Sequence, residues 1–191
     1  THHALKENDF GFDKLCFSED DVVVDLGCNV GLVSCLLAQF FPFIHVFAFD
    51  PNPVACLCAK LNRLSNNLTN LEIFNIAIGD EYKKDVKFYT TKLEISASVE
   101  EKYTSQNDRV YCSDILPFDE IFNNKLLGIN RIKYLKIDIE GGEFAVMNYI
   151  CDKHPELIEK IDNMHLEIHG YPWRDELTKK VKNCFGNRWL N

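Results

Sequence analysis

The chain contains no apolar run long enough to cross a membrane, although 46% of its 191 residues are hydrophobic. It is also poor in basic residues, because 21 lysines and arginines stand against 29 aspartates and glutamates and leave a net charge of −8. General nucleic-acid binding needs a basic surface, so this balance disfavours such a partner and suits a small neutral or cationic molecule. Length and composition predict one domain over residues 1–191 with a sizeable core.

Cysteine pairs of the C-x-x-C type are absent, although the chain has eight cysteines. Most of them lie among apolar residues, where cysteine behaves as a small hydrophobe, so reduced core thiols are favoured over a zinc site or a disulfide framework. No secretory leader is visible. Residues 1–20 form an N-terminal extension in which His2 and His3 suggest the remnant of an expression tag. Together these features predict a cytoplasmic protein.

Glycine is scarce too, and its absence from two positions decides between cofactors. A dinucleotide site requires G-x-G-x-x-G, whereas the chain has Asp25, Gly27 and Val30 at the three glycine positions, so a nicotinamide cofactor fits poorly. The pattern that is present, D-x-G-x-N-x-G, follows an apolar strand and ends at Gly31. Asn29 is the type of non-glycine residue that best tolerates a left-handed backbone. This layout is typical of the S-adenosylmethionine loop of Rossmann-like methyltransferases, and the alternative is a strand-turn-helix without a ligand.

Strands and helices alternate along the chain, which predicts an α/β, Rossmann-like fold with a mostly parallel sheet and helices on both faces. After the strand that begins at Val22, further strands are predicted at Ile44–Phe49, Leu71–Ile76, Ile132–Ile139 and Met164–Ile168, with a short added strand at Val86–Tyr89. Helices are predicted at Pro53–Leu64, Glu143–Ile150 and Asp175–Phe185. The polar stretch from Thr90 to Ser113 shows little periodicity.

Asp50 is the second candidate donor-site residue. It lies 23 positions after Gly27 at the end of the next strand, near the distance at which an acid reaches the ribose hydroxyls of a bound nucleotide. A turn or cap before the following helix is the alternative role, because Asp50-Pro51-Asn52-Pro53 is also good turn chemistry. The loop at Ala77 is expected to flank the adenine.

Four motifs in this order, VVVDLGCNVGLVS, VFAFDPNP, NLEIFNIAIGD and YLKIDIEGGEF, resemble the FkbM-type methyltransferase family. The resemblance covers about Val22 to His169 and implies a class I methyltransferase fold, S-adenosylmethionine as methyl donor, and O-methylation of a hydroxyl on a sugar, glycan or other small molecule. The predicted donor-binding residues are Asp25, Gly27, Cys28, Asn29, Gly31, Asp50, Ala77 and Asp138.

The chain departs from the class I pattern at its end, because 22 residues follow His169 where two further strands are usual. Either the chain is truncated or the sheet lacks the last strand pair, and an open sheet edge favours a homodimer.

The acceptor side is expected at the carboxyl ends of the fourth and fifth strands, beside the first loop. Strand alternation places Lys136, Asp138 and Glu140 on one side, and puts His165 on the same face as Glu167 and His169. Asp138, Glu167 and His169 are the catalytic candidates, with His169 or Asp138 as the base that takes the hydroxyl proton. His165 is expected to be structural, and Glu143 either belongs to the site or favours a helix N-terminus.

A divalent cation on Asp138, Glu167 and His169 is an alternative that is not favoured, so no metal ligand is predicted. Three functions remain open. They are an S-adenosylmethionine-dependent O-methyltransferase, an inactive S-adenosylmethionine-binding module or partner subunit, and, less favoured, a nicotinamide-dependent oxidoreductase.

Overall fold

A five-stranded parallel sheet forms the centre of the molecule. The computed structural model describes residues 14–90, 109–169 and 174–190, so most of the predicted N-terminal extension lies outside the described residues. The strand order of this sheet is β3-β2-β1-β7-β8. In chain order the strands of the molecule are β1 (Val22–Leu26), β2 (His45–Phe49), β3 (Leu71–Phe74), β4 (Ala77–Gly79), β5 (Lys83–Thr90), β6 (Arg109–Pro117), β7 (Ile132–Ile137) and β8 (Ile161–Leu166).

Helices cover both faces of this sheet and bury two separate apolar clusters. They are α1 (Leu32–Phe40), α2 (Pro53–Ser65), α3 (Glu143–Asn148) and α4 (Arg174–Phe185), with a π-helical turn at Tyr149–Lys153 and 3-10 turns at Phe118–Phe122, Pro155–Lys160 and Gly186–Arg188. Alternate strand residues feed the two clusters, so Val23 packs with α1 and α2 while Val24 packs with α3 and α4. The sheet order and the two helical layers confirm the predicted α/β, Rossmann-like fold.

A second, three-stranded sheet of order β4-β6-β5 is a feature that the sequence pattern did not predict. The predicted added strand, Val86–Tyr89, is the centre of the longer β5, which pairs antiparallel with β6. β6 begins inside the stretch that showed little periodicity. Its residues are all exposed or half-buried, so the strand carries no alternation of buried and exposed positions.

Three predicted strands end in the wrong place. β7 stops at Ile137 instead of Ile139, β8 runs over Ile161–Leu166 instead of Met164–Ile168, and β3 stops at Phe74 instead of Ile76. In each case apolar residues continue beyond the strand into a loop that packs on the core or lines a cleft, and periodicity cannot distinguish these from strand residues. The predicted helix Glu143–Ile150 also changes to π geometry after Asn148.

The outer edge of β8 is partly paired by the end of the described chain. Trp189 forms a parallel bridge with Met164, and the Leu190 N–H donates to the Met164 carbonyl at 2.7 Å. Within the described ranges the main sheet has five strands. None of the described helices is both long and apolar enough to span a membrane.

Candidate donor and acceptor site

The loop between β1 and α1 is built from three left-handed residues. Gly27, Asn29 and Gly31 have φ values of 81°, 51° and 76°, so Asn29 takes the conformation expected of it. The N–H groups of Gly27 and Cys28 both donate to the Phe49 carbonyl, at 2.9 and 3.1 Å. A Cβ on Gly27 would lie only 1.7 Å from the backbone oxygen of Asp138. Glycine therefore lets the loop press against the end of β7.

Asp50 joins this loop to the turn before α2. One carboxylate oxygen accepts the Asn29 N–H and the other accepts the Asn52 N–H, both at 2.8 Å. The side chain of Asn52, not that of Asp50, caps α2 by accepting from Val54 and Ala55. Burial raises the pKa of Asp50 to about 6, against the lowering effect of its two backbone hydrogen bonds. Each carboxylate oxygen keeps a further lone pair for a ligand.

A cleft of about 260 Å³ opens at the carboxyl ends of the central strands. Five of the predicted donor-site residues line it, and these are Gly27, Asn29, Asp50, Ala77 and Asp138. The second sheet supplies part of its wall through Phe88 of β5 and Ile115 of β6, and sequence reasoning missed Ile115 because β6 gave no signal.

The other three predicted donor-site residues do not line the cleft. Asp25 is fully buried within β1, and its carboxylate accepts a hydrogen bond from Ser34. Cys28 is also buried, and burial raises the pKa of its thiol well above the ordinary value. Gly31 packs against Ala59 of α2, where an added Cβ would lie 2.8 Å from the Ala59 side chain. These residues shape the loop from beneath instead of facing the cleft.

Lys136 is a site residue that the sequence analysis placed beside Asp138 without giving it a role. Its side chain is 4% exposed, and its Nζ lies 3.2 Å from Asp25 Oδ1 and 3.4 Å from Asp138 Oδ2. The Nζ also donates to the Gly27 carbonyl at 3.4 Å. The sequence did contain a signal for a role of Lys136. A lysine inside a buried strand requires an acidic partner for its charge.

His169 lies at the centre of four carboxylates. Its Nδ1 lies 2.9 Å from Glu143, while its Nε2 lies 3.5 Å from Glu167, 3.8 Å from Glu140 and 3.9 Å from Asp138. The hydrogen bond to Glu143 raises the pKa of His169 to about 9, and partial burial only partly opposes it. The imidazole is therefore protonated at neutral pH.

Glu143 orients this histidine and also holds the loop that follows β7. Its carboxylate is 1% exposed and accepts the backbone N–H groups of Ile139, at 3.2 Å, and Gly141, at 2.9 Å. Its role therefore extends beyond favouring the start of α3. Glu167 follows β8, which ends at Leu166. The alternation of side chains along a strand, which the sequence analysis used, therefore does not explain why Glu167 lies near His169.

His165, in contrast, is buried in β8 with its Nδ1 3.1 Å from the Leu190 carbonyl. Burial lowers the pKa of His165, which agrees with the structural role expected for it.

Three ligand atoms of Asp138, Glu140 and His169 lie within 4.8 Å of one another, close enough for one divalent ion to bridge them. This set differs from the metal alternative considered from sequence, because Glu140 takes the place of Glu167. Partial burial raises the pKa of Glu140, and His169 opposes the rise.

The cleft suits a nucleoside donor on three grounds. Its lining is mostly apolar, as the face of a base requires, and Asp50 offers two acceptors to ribose hydroxyls. The side-chain oxygen of Asn29 is buried and has no hydrogen-bond partner among the described residues. A hydrogen-bond donor on a bound ligand would satisfy this oxygen.

Comparisons with known proteins agree on the family. A model described as the methyltransferase FkbM domain matches residues 27–183. Methyltransferase 1 of Beauveria bassiana is 23% identical over 172 residues, covering 78% of this chain and 66% of that protein. Methyltransferase sdnD of Sordaria araneosa is 22% identical over 179 residues, covering 80% of this chain and 69% of that protein. The chain thus spans about two thirds of the length of these relatives.

A solved structure, the N-terminal domain of human METTL16 in complex with SAH, aligns with a TM-score of 0.48 and 11% identity, covering 95% of this chain and 58% of that one. The family model alone covers most of the chain, from the donor loop into α4. The chain therefore belongs to the FkbM family of methyltransferases.

Proposed function

We propose that this chain transfers the methyl group of S-adenosylmethionine to a hydroxyl oxygen of a sugar, glycan or other small molecule. The observation that carries the proposal is the position of Asp138. Its backbone oxygen touches Gly27 of the donor loop, while its carboxylate lies 3.9 Å from the His169 imidazole. Asp138 therefore joins the lining of the cleft to the His169 imidazole, which lies beside it.

On the donor side, Asp50 would accept from the ribose hydroxyls and the backbone at Ala77 would flank the adenine. Gly27 and Asn29 would face the methionine portion of the donor. Asp25, Cys28 and Gly31 contribute by holding the loop in shape, since they lie behind the lining of the cleft.

On the acceptor side, His169 takes the hydroxyl proton on its Nε2. When bound, S-adenosylmethionine supplies an electrophilic methyl carbon, so an oxygen–carbon bond forms as the carbon–sulfur bond breaks and S-adenosylhomocysteine is the product. Glu143 holds the Nδ1 side of the ring, which directs Nε2 toward Glu167 and toward Asp138, a residue of the cleft lining. Because the resting imidazole is protonated, it becomes a base only after losing that proton.

The charge around His169 favours a neutral or cationic acceptor. Asp138, Glu140 and Glu167 are all partly exposed there, with side-chain exposures of 28%, 40% and 55%. An anionic acceptor beside His169 would meet these three carboxylates, two of which, Asp138 and Glu140, line the cleft, and like charges repel each other.

The first test measures, by calorimetry, which donor molecule the wild-type chain binds. We expect S-adenosylhomocysteine to bind and NAD not to bind, and binding of NAD alone would overturn the proposal in favour of an oxidoreductase. Transfer of a labelled methyl group to sugar and lipid extracts then tests activity. Donor binding without label transfer to any extract would indicate an inactive binding module instead.

The same assay with EDTA tests the proton acceptor. We expect turnover to persist in EDTA, because His169 serves as the base. Loss of turnover that a divalent ion restores would assign Asp138, Glu140 and His169 to a metal site instead.

A further inference from the structure

Lys136 is a charged residue inside the buried parallel sheet. It stands directly opposite Asp25 of β1 and His165 of β8 in the strand register, and the residue is only 3% exposed. A lone ammonium group in such a place strongly destabilises the fold, so a neutral, apolar residue would be the simpler choice for this position. The presence of a lysine there requires an explanation from its contacts.

Those contacts connect the two halves of the site. The Nζ of Lys136 lies near Asp25 in β1, near the Gly27 carbonyl of the donor loop, and near Asp138 on the acceptor side. Burial lowers the pKa of Lys136, but the charges of Asp25 and Asp138 outweigh burial and hold the pKa above its usual value. The group therefore stays an ammonium ion and can bind all three oxygens at once.

Asp138 is held by one of its two oxygens. Its Oδ2 faces Lys136 at 3.4 Å, which leaves Oδ1 on the side of His169. Without the lysine, Oδ2 loses its hydrogen bond on the side of the sheet, and we expect the carboxylate to rotate toward the cleft. The distance between Asp138 and His169 is then no longer fixed.

We propose that Lys136 is a positioning residue, which ties the donor loop to the acceptor side by holding Asp138 against Gly27 and toward His169. This inference rests on the proposed methyl transfer. Its catalytic value would come from geometry, because displacement of a reacting group by about 1 Å can cost about 100-fold in rate.

The test must separate positioning from stability, because Lys136→Met alone leaves Asp25 as an unpaired buried charge and strongly destabilises the fold. The double variant Asp25→Asn/Lys136→Met removes both charges together. We expect its urea unfolding midpoint to return toward that of the wild type while kcat stays reduced by about tenfold or more. Recovery of kcat together with stability would overturn the proposal.

Asp25→Asn alone is the reference for the double variant, because it keeps the bridge between Lys136 and Asp138 and shows any loss that comes from the donor loop. We expect kcat of the double variant to lie about tenfold or more below that of Asp25→Asn, and equal values would count against the proposal. Adding Asp138→Asn to the double variant should reduce kcat by no more than about twofold further, since the bridge is already lost. If the loss of kcat from the double variant and the loss from Asp138→Asn multiply instead, Lys136 and Asp138 act independently, and the proposal is overturned.

A crystal structure of Asp25→Asn/Lys136→Met provides a readout that needs no activity. We expect the Asp138 carboxylate to turn away from His169, whereas an unmoved carboxylate would overturn the proposal. If the wild type binds no donor and transfers no label, the proposed function fails, but this structural comparison still decides whether Lys136 positions Asp138.

Discussion

The proton on His169 determines when this residue can act as a base. Its pKa of about 9 follows mainly from the hydrogen bond to Glu143, so the neutral, proton-accepting form is a minority at pH 7 and dominates only above pH 9. We therefore expect kcat to rise with pH from 7, by up to roughly tenfold per unit, and to level off near pH 9.

The variant His169→Gln should lose most turnover and this pH dependence while it keeps its affinity for S-adenosylhomocysteine. Rates measured between pH 6 and 10 check the prediction. His154→Gln is the matched control, because His154 also pairs with a glutamate, Glu156, but lies away from the cleft. A flat profile in the wild type would contradict the role of His169 as base.

Asp50 gives a second prediction at the scale of one side chain. Its carboxylate accepts ribose hydroxyls best when ionised, and its pKa of about 6 means that it becomes protonated below that pH. Affinity for S-adenosylhomocysteine should thus fall as pH drops below 6. Asp50→Asn should weaken binding by about 1.5–3 kcal/mol, roughly 10- to 150-fold, and should remove the pH dependence.

Calorimetry at pH 5 and 7.5 measures both effects. Glu72→Gln is the control, since Glu72 is an exposed acid on the neighbouring strand β3. Unchanged affinity in Asp50→Asn would mean that the carboxylate serves only the turn before α2.

The sequence predicted the residues of the candidate site where an acidic residue follows an apolar strand. Asp50 and Asp138 were found because acids follow apolar strands, and both line the cleft. Asp25 follows the same pattern but points into the sheet toward Lys136, and only the pairing of β1 with β7 reveals this. The pairing of His169 with Glu143 was not foreseen either, because it depends on how the loops after β7 and β8 approach each other.

At the scale of elements, the end of β1 and the end of β7 approach so closely that only glycine fits between them. Gly27→Ala should lower the free energy of unfolding by about 1–2 kcal/mol, because alanine disfavours the left-handed backbone at this position. The contact of the added Cβ with the Asp138 carbonyl should lower it considerably further. The substitution should also abolish donor binding, because the loop must move. Urea unfolding and calorimetry measure the two effects.

Gly186→Ala isolates the backbone contribution to this cost. Gly186 also has a positive φ, of 54°, but an added Cβ there meets nothing within 4 Å. An equal loss of stability in both variants would show that the loop relaxes away from β7 without cost.

Elements were predictable where burial imposes a pattern. β1 and β2 are apolar because helices cover both faces of the sheet, and the sequence shows them clearly. β6 pairs through its backbone with β4 and β5, and neither of its faces is buried. Backbone hydrogen bonding therefore determines this strand, and its side chains carry no pattern from which it could be predicted. Ile139 extends the apolar run of β7 but lines the cleft instead, which explains the strand predicted two residues too long.

At the scale of the whole molecule, the same titration of His169 that controls activity also contributes to folding. Because its pKa is about 9 in the folded chain and about 6.5 when unfolded, the stabilisation from His169 is fully present below pH 6.5 and is lost as pH rises through 9. The free energy of unfolding of the wild type should therefore exceed that of His169→Gln most at pH 6, and the difference should shrink steadily toward pH 10. Urea unfolding at pH 6, 8 and 10 measures it, with His154→Gln as the reference variant. A His169→Gln difference that does not change with pH would mean that Glu143 does not hold the imidazolium in the folded chain, and the alkaline activity profile would then need another cause.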